Sequence, residues 1–180
     1  ELDTLYSIKT QKQEACNIEI IDIITRLSSQ IEREISVAID RKGKVTSVAI
    51  GDSTSVELPI LDIHEKRLSG VRVIHTHPNG LSNLSALDLT ALIKLKLDAI
   101  IAVGIYEGKI IDFSLANLTL FDNKLVYEES NNLSLEKLMS IDMIDKIRYS
   151  ESLIKENDVI EDEGEKAILV GSDTRESLEE

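Results

Sequence analysis

Tryptophan is absent and aromatic residues make up only 3% of the chain, so any buried core must come from isoleucine, leucine and valine. Hydrophobic residues still fill 42% of the 180 positions, enough for one domain of ordinary size with appendages. Basic residues are the scarce charge: 20 against 33 acidic ones give a formal net charge of -13. Gripping phosphates needs the opposite balance, which argues against direct nucleic-acid binding and against docking on anionic membranes. The single cysteine, Cys16, rules out an internal disulfide and fits a reducing, cytoplasmic setting. The longest apolar runs are strand-sized, so neither a signal peptide nor a membrane span is read. Internal repeats, a GxxxxGKS loop, GxGxxG and CxxC are all missing, which excludes nucleotide binding by P-loop chemistry within these residues.

What is present is organised around Val71 to Leu92, VRVIHTHPNGLSNLSALDLTAL. The run Val71 to Ile74 leads as a strand into His75 and His77, whose spacing of two puts both imidazoles on one face. Pro78 ends the ladder, Asn79-Gly80 turns the chain, and Ser85 opens a helix marked by Leu87, Leu89, Leu92 and Ile93. Asp88 lies in the first turn of that helix. A short connection brings strand end and helix start together, so His75, His77, Ser85 and Asp88 converge. Two neutral imidazoles and one carboxylate form the ligand set of a catalytic zinc site, with a fourth position left for water. Ser85-x-x-Asp88 reads equally as a helix N-cap with a favourable acidic residue in the first turn.

The elements around this stretch alternate. Ile18, Ile21, Ile24, Leu27 and Ile31 mark a helix over Asn17 to Glu32, packed on a sheet. Ile35 to Ile39 and Val45 to Ile50 form a hairpin through Arg41-Lys42-Gly43-Lys44. A further strand covers Val56 to Ile60, and His64 reads as a surface residue. After the central helix over Ser85 to Leu97, Ala99 to Ile105 and Ile110 to Leu118 make a second hairpin around Glu107-Gly108. The expected fold is therefore α/β, a mixed sheet between helices. Leu135, Leu138, Ile141, Ile144 and Ile147 then predict a helix from about Leu133 to Asn157. Glu151 to Glu180 holds eleven acidic and three basic residues and reads as a linker. KAILVG, Lys166 to Gly171, is a fresh strand without a local partner. The divisions expected are a domain over 1–130, a helix and acidic linker over 131–165, and the start of another domain over 166–180. Glu1 in first place and the interrupted helix at the end suggest a piece of a longer protein.

The string His75-x-His77-Pro78, six residues, Ser85-x-x-Asp88 resembles the signature of the JAMM (MPN-plus) metallohydrolases, and HTHPNG is similar to the HxHPSG segment of their RadC branch. That resemblance implies a three-layer fold like cytidine deaminase, with His75, His77 and Asp88 on Zn2+ and Ser85 hydrogen-bonding the oxyanion. It also implies a glutamate general base on an earlier strand: Glu34, directly before the first hairpin strand, or Glu32 in a RadC-like register.

A second resemblance covers most of residues 31 to 171. EKAILVGSD followed by ESLEE is similar to the opening of the nucleotide-binding N-terminal domain of HflX-type GTPases. EISVAIDRKGKVTSVAIGD, RLSGVRVIHTH and LDLTALIKLKLDAIIAVG resemble the extra leading segment of many bacterial HflX proteins. The implied parent is a cytoplasmic GTPase associating with the large ribosomal subunit, its GTP and Mg2+ bound beyond Glu180. On this reading the chain is an accessory domain that binds the remainder of its own chain. The alternatives are an active JAMM-type zinc hydrolase of amide bonds and a free-standing RadC-like protein.

Overall fold

The computed structural model describes residues 1–52, 70–122 and 124–146. The strand expected at Val56 to Ile60, His64, the acidic linker and KAILVG lie outside the described residues.

A short helix α1 (Leu2–Leu5), with Leu5 buried, precedes the amphipathic helix α2 (Ile18–Ile31). Asn17 caps α2 by accepting a hydrogen bond from the Glu19 amide at 2.7 Å, and the helix stops at Glu32, whose φ of 54° is left-handed. Ile20, Ile21, Ile24, Thr25 and Ser28 form its buried stripe. Ile18 and Ile31, expected on that stripe, sit in the terminal turns and are exposed.

The hairpin follows as β1 (Ile35–Ile39) and β2 (Val45–Ile50), paired antiparallel. Its turn tolerates only glycine at position 43: φ is +87° and a Cβ there would meet the Thr10 carbonyl oxygen at 1.8 Å. Next come β3 (Arg72–His77), α3 (Ala86–Leu95) and β4 (Ala99–Tyr106). Last are β5 (Lys109–Phe121), β6 (Lys124–Leu133) and a short α4 (Leu135–Met139). The six strands form one sheet ordered β2-β1-β3-β4-β5-β6, in which β3 and β4 are parallel, joined through α3, and every other pairing is antiparallel.

Side-chain alternation divides the core in two. On one face Ile35, Val37, Ile74, Ile101, Val103 and Phe113 pack with Ile20, Ile21 and Ile24 of α2. On the other, Ala38, Val73, Ile100, Ala102, Ala116 and Leu118 pack with Leu89, Leu92 and Ile93 of α3. The sheet is thus covered on both faces, as the order of elements predicts. Among the described residues no helix is long and apolar enough to cross a membrane.

The C-terminal part departs from expectation. Residues 124–133 pair with β5 as an edge strand, and helix begins only at Leu135. The continuous helix expected from Leu133 is interrupted at Ser140: the Asp142 carboxylate accepts from the Ile144 amide at 3.0 Å, and the Met143 amide turns away to the Gln13 carbonyl at 3.1 Å. Leu138 and Met143 are thereby buried in the core on the α2 side.

Candidate metal centre

Strand parity decides what β3 offers to each face. Arg72, Ile74 and Thr76 point toward α2, whereas Val73, His75 and His77 point toward α3. His75, only 2% exposed, sits deeper than His77. Their Nε2 atoms are 3.1 Å apart, with the rings tilted by 59°. Nδ1 of His77 lies 2.7 Å from the Leu81 carbonyl oxygen, which has no proton to give, so Nδ1 must donate. In the neutral ring this leaves a bare lone pair on Nε2, aimed at His75.

Between the two histidines Thr76 works on the opposite face. Its Oγ1 accepts from the Ile35 amide at 2.9 Å and donates to Ser28 Oγ at 2.7 Å, and Ser28 donates to the Arg33 carbonyl at 2.6 Å. Residues 33 and 35 are thus both tied down, and the backbone of Glu34 is bonded on each side to Asp52 and Gly51. Ser36 pairs with His75, so the same register continued outward sets Glu34 opposite His77 and on the same face. Glu34, His75 and His77 offer ligand atoms that all lie within 4.8 Å of one another, a cluster that could hold a metal ion. Glu34 is buried. Glu32 is turned to solvent at the helix end and takes no part in this cluster.

Asp88 arrives from α3. Its Oδ2 lies 3.4 Å from His75 Nε2 and accepts the Ser85 amide at 3.0 Å, while Ser85 Oγ accepts the Asp88 amide at 3.1 Å. The two readings of Ser85-x-x-Asp88 therefore coexist: it is a complete capping box, and its carboxylate also reaches a histidine. Capping occupies a lone pair of Ser85 Oγ and leaves its O–H able to donate.

The charges separate the two carboxyl groups. Burial, reinforced by Asp88 and Asp52 and opposed by His75, raises the pKa of Glu34 to about 7. Burial also acts on Asp88, but His75, the Ser85 amide and His77 outweigh it and lower that carboxyl to about 2. Burial pushes His75 down, but Asp88, Glu34 and the Ile101 backbone together outweigh it and raise its pKa above the ordinary imidazole value. His77 titrates below that range, through burial and its charged neighbour His75. A proton on His75 Nε2 would turn the contact between the two ring nitrogens into a hydrogen bond.

Sequence reasoning did not find the loop that holds His77. The Gly80 amide donates to the Ile105 carbonyl at 3.0 Å. Ser82 donates twice to Asp112, from its amide to Oδ1 at 3.1 Å and from Oγ to Oδ2 at 2.8 Å, and its Oγ lies 2.7 Å from Ser114 Oγ. The available signal was Gly104 in an otherwise bulky strand: a Cβ there would meet Asp112 Oδ1 at 2.3 Å and the Ser82 amide at 2.8 Å.

No family model matches the chain, and none of the curated proteins does. Among solved structures it is similar to a protein from Salinibacter ruber (strain DSM 13855), known as a solution structure, at 12% identity and a TM-score of 0.33. That match covers 71% of this chain and 95% of the other, and at such a level of likeness neither fold nor function transfers.

Proposed function

We propose that His75, His77 and Asp88 bind Zn2+ and that Glu34 is the general base for hydrolysis of an amide or related carbonyl, in the manner of the JAMM metallohydrolases. The observation that carries this reading is the spacing of the donor atoms. Ligands about 2.0–2.2 Å from a tetrahedral ion stand about 3.3–3.5 Å from one another. Here His75 Nε2 lies 3.1 Å from His77 Nε2 and 3.4 Å from Asp88 Oδ2, close to this spacing, and Glu34 offers a carboxylate oxygen within 4.8 Å of both histidines. The Leu81 carbonyl supports it further by fixing His77 in the tautomer whose Nε2 can ligate.

A Zn2+ ion held there would supply Lewis acidity, lowering the pKa of a water and polarising a carbonyl oxygen. The remaining roles fall to side chains. Asp88, ionised throughout the neutral range, contributes negative charge to the ligand set. Glu34, with its pKa near the working pH, takes a proton from the attacking water and returns it to the leaving group. Environments that push two neighbouring carboxyl groups apart in pKa are the pattern by which acid-base roles are divided. The Ser85 O–H is available to donate to the developing oxyanion.

The setting we propose for this site is the leading segment of an HflX-type cytoplasmic GTPase on the large ribosomal subunit, as an accessory domain. The ordered sequence likeness through residues 31 to 171 supports it. The α/β sheet with helices on both faces is compatible with the JAMM and cytidine-deaminase-like fold. Zinc titration of the whole chain at neutral pH tests the site. Wild type and Glu34→Gln are expected to bind alike, and His77→Ala at least about 100-fold more weakly. Equal, weak uptake by wild type and His77→Ala would overturn the reading.

A further inference from the structure

His77 is the outermost ligand of the proposed site, at the last position of β3, where the strand pairs with β4 but no longer with β1. Its orientation depends on one backbone carbonyl, that of Leu81, in a loop between Pro78 and Leu84. Loops hold such a contact only if their own backbone is fixed. This one is fixed on either side of Leu81: at Gly80 by the Ile105 carbonyl and at Ser82 by Asp112. The side chain of Leu81 contributes little anchorage, being 60% exposed.

We propose that Asp112 is the positioning residue for His77, acting through Ser82 to place the Leu81 carbonyl that fixes the imidazole tautomer. This rests on the metal-site reading only for its consequence; the hydrogen-bond relay itself is independent of metal. Asp112 is 4% exposed, and Ser82 and Ser114 are wholly buried, so the bonds are made away from water, where a donor left unpaired is costly. The direction of the relay follows from its chemistry. A carboxylate only accepts, so Ser82 must donate its single O–H to Oδ2, and Ser114 must then donate to Ser82 Oγ. Asp112 is therefore bonded at both oxygens by one residue, which sets the position and the rotation of the loop backbone next to Leu81. The register supplies the alignment: His77 pairs with Gly104 and Gly104 with Asp112, in one row across the sheet. Gly104 is what permits it, since any side chain there would displace the carboxylate from Ser82. A strand two places away thus controls a ligand it does not touch.

The test uses the whole chain, metal-free, at pH 8, with the histidine tautomers read from long-range 1H–15N correlations. Wild-type His77 is expected as the Nδ1–H form. Asp112→Asn presents an N–H where Ser82 needs an acceptor, and should shift His77 toward the Nε2–H form. Zinc titration of the same sample should then show affinity about 10- to 100-fold lower. Ser82→Ala removes only the hydroxyl bridge and should give an intermediate shift; it carries the test if Asp112→Asn does not fold. Folded variants with wild-type His77 tautomer and zinc affinity would overturn the proposal. An absence of zinc uptake by wild type would overturn the metal reading alone, and the tautomer measurement would still decide the role of Asp112.

Discussion

Both faces of β3 are buried, yet they use polar side chains to opposite ends. On the α2 face Thr76 is the polar residue flanked by the histidines, and its hydroxyl is satisfied through Ile35 and Ser28 within an aliphatic core. On the α3 face two histidines and two carboxyl groups crowd together. Nδ1 of His75 and Oγ of the neighbouring Ser36 are buried there without a hydrogen-bond partner, as are Nε and Nη2 of Arg72 on the α2 face. Burying polar groups in a fully bonded chain adds rigidity, whereas crowding titratable groups costs stability and is retained for what it does. Around Thr76 the bonded hydroxyls tie β3 to β1 and α2, whereas the α3 face gathers the groups proposed to bind the metal.

Separating the two faces by substitution gives the largest expected effect. Ile24→Ala, on the α2 side, should destabilise the protein by about 2–5 kcal/mol in denaturant unfolding and leave zinc affinity within about twofold. A large loss of metal affinity in a folded Ile24→Ala protein would mean that the faces are not independent.

A smaller effect of opposite sign is expected at Glu34. Its folded pKa of about 7 lies above the ordinary 4.5 of a free glutamate, so ionising it costs more in the folded state. The penalty is absent below the lower value, grows as pH rises between the two, and is full above about 7. Glu34→Gln should therefore stabilise the metal-free protein by about 1–3 kcal/mol at pH 8 and by little at pH 4.5. Urea unfolding at the two pH values reads the difference. A uniform effect would show that the cost of the α3 face lies elsewhere.

The smallest effect compares two helix caps. Ser85 and Ser134 both accept a hydrogen bond at an N-cap, and alanine at either should cost about 1 kcal/mol. Only Ser85→Ala should also weaken zinc, by a few-fold, because its cap steadies Asp88. Equal zinc affinity in both variants would reduce Ser85-x-x-Asp88 to a cap alone.

Local signals made much of this arrangement legible. Period-two and period-four apolar spacing, with Asn17 and Ser85 as caps, located α2, the β1–β2 hairpin, β3 and α3, because these segments carry their own pattern. The preference for Glu34 over Glu32 follows the same logic of strand against helix end. β6 was not legible: KLVYEESNNL is rich in residues that disfavour strands, and its conformation comes from pairing with β5. The break in the expected helix at Ser140 was not legible because the apolar spacing continues past it, while hydrogen bonds accepted by Asp142 and Gln13 divert the backbone before residues 143–146 turn helical again. Asp112 escaped notice because its partners lie thirty residues away and meet it only through register.

The groups proposed to hold the metal and the group proposed to use it enter the chain very differently. His75, His77 and Asp88 fall within fourteen consecutive residues, a separation that even an unfolded chain spans readily. Glu34 stands far upstream and meets them only when β1 pairs with β3. The proposed ligands are thus neighbours in sequence, although His77 is oriented through β5, whereas the proposed base joins them only across the sheet. The sheet must close before Glu34 can act on anything bound there.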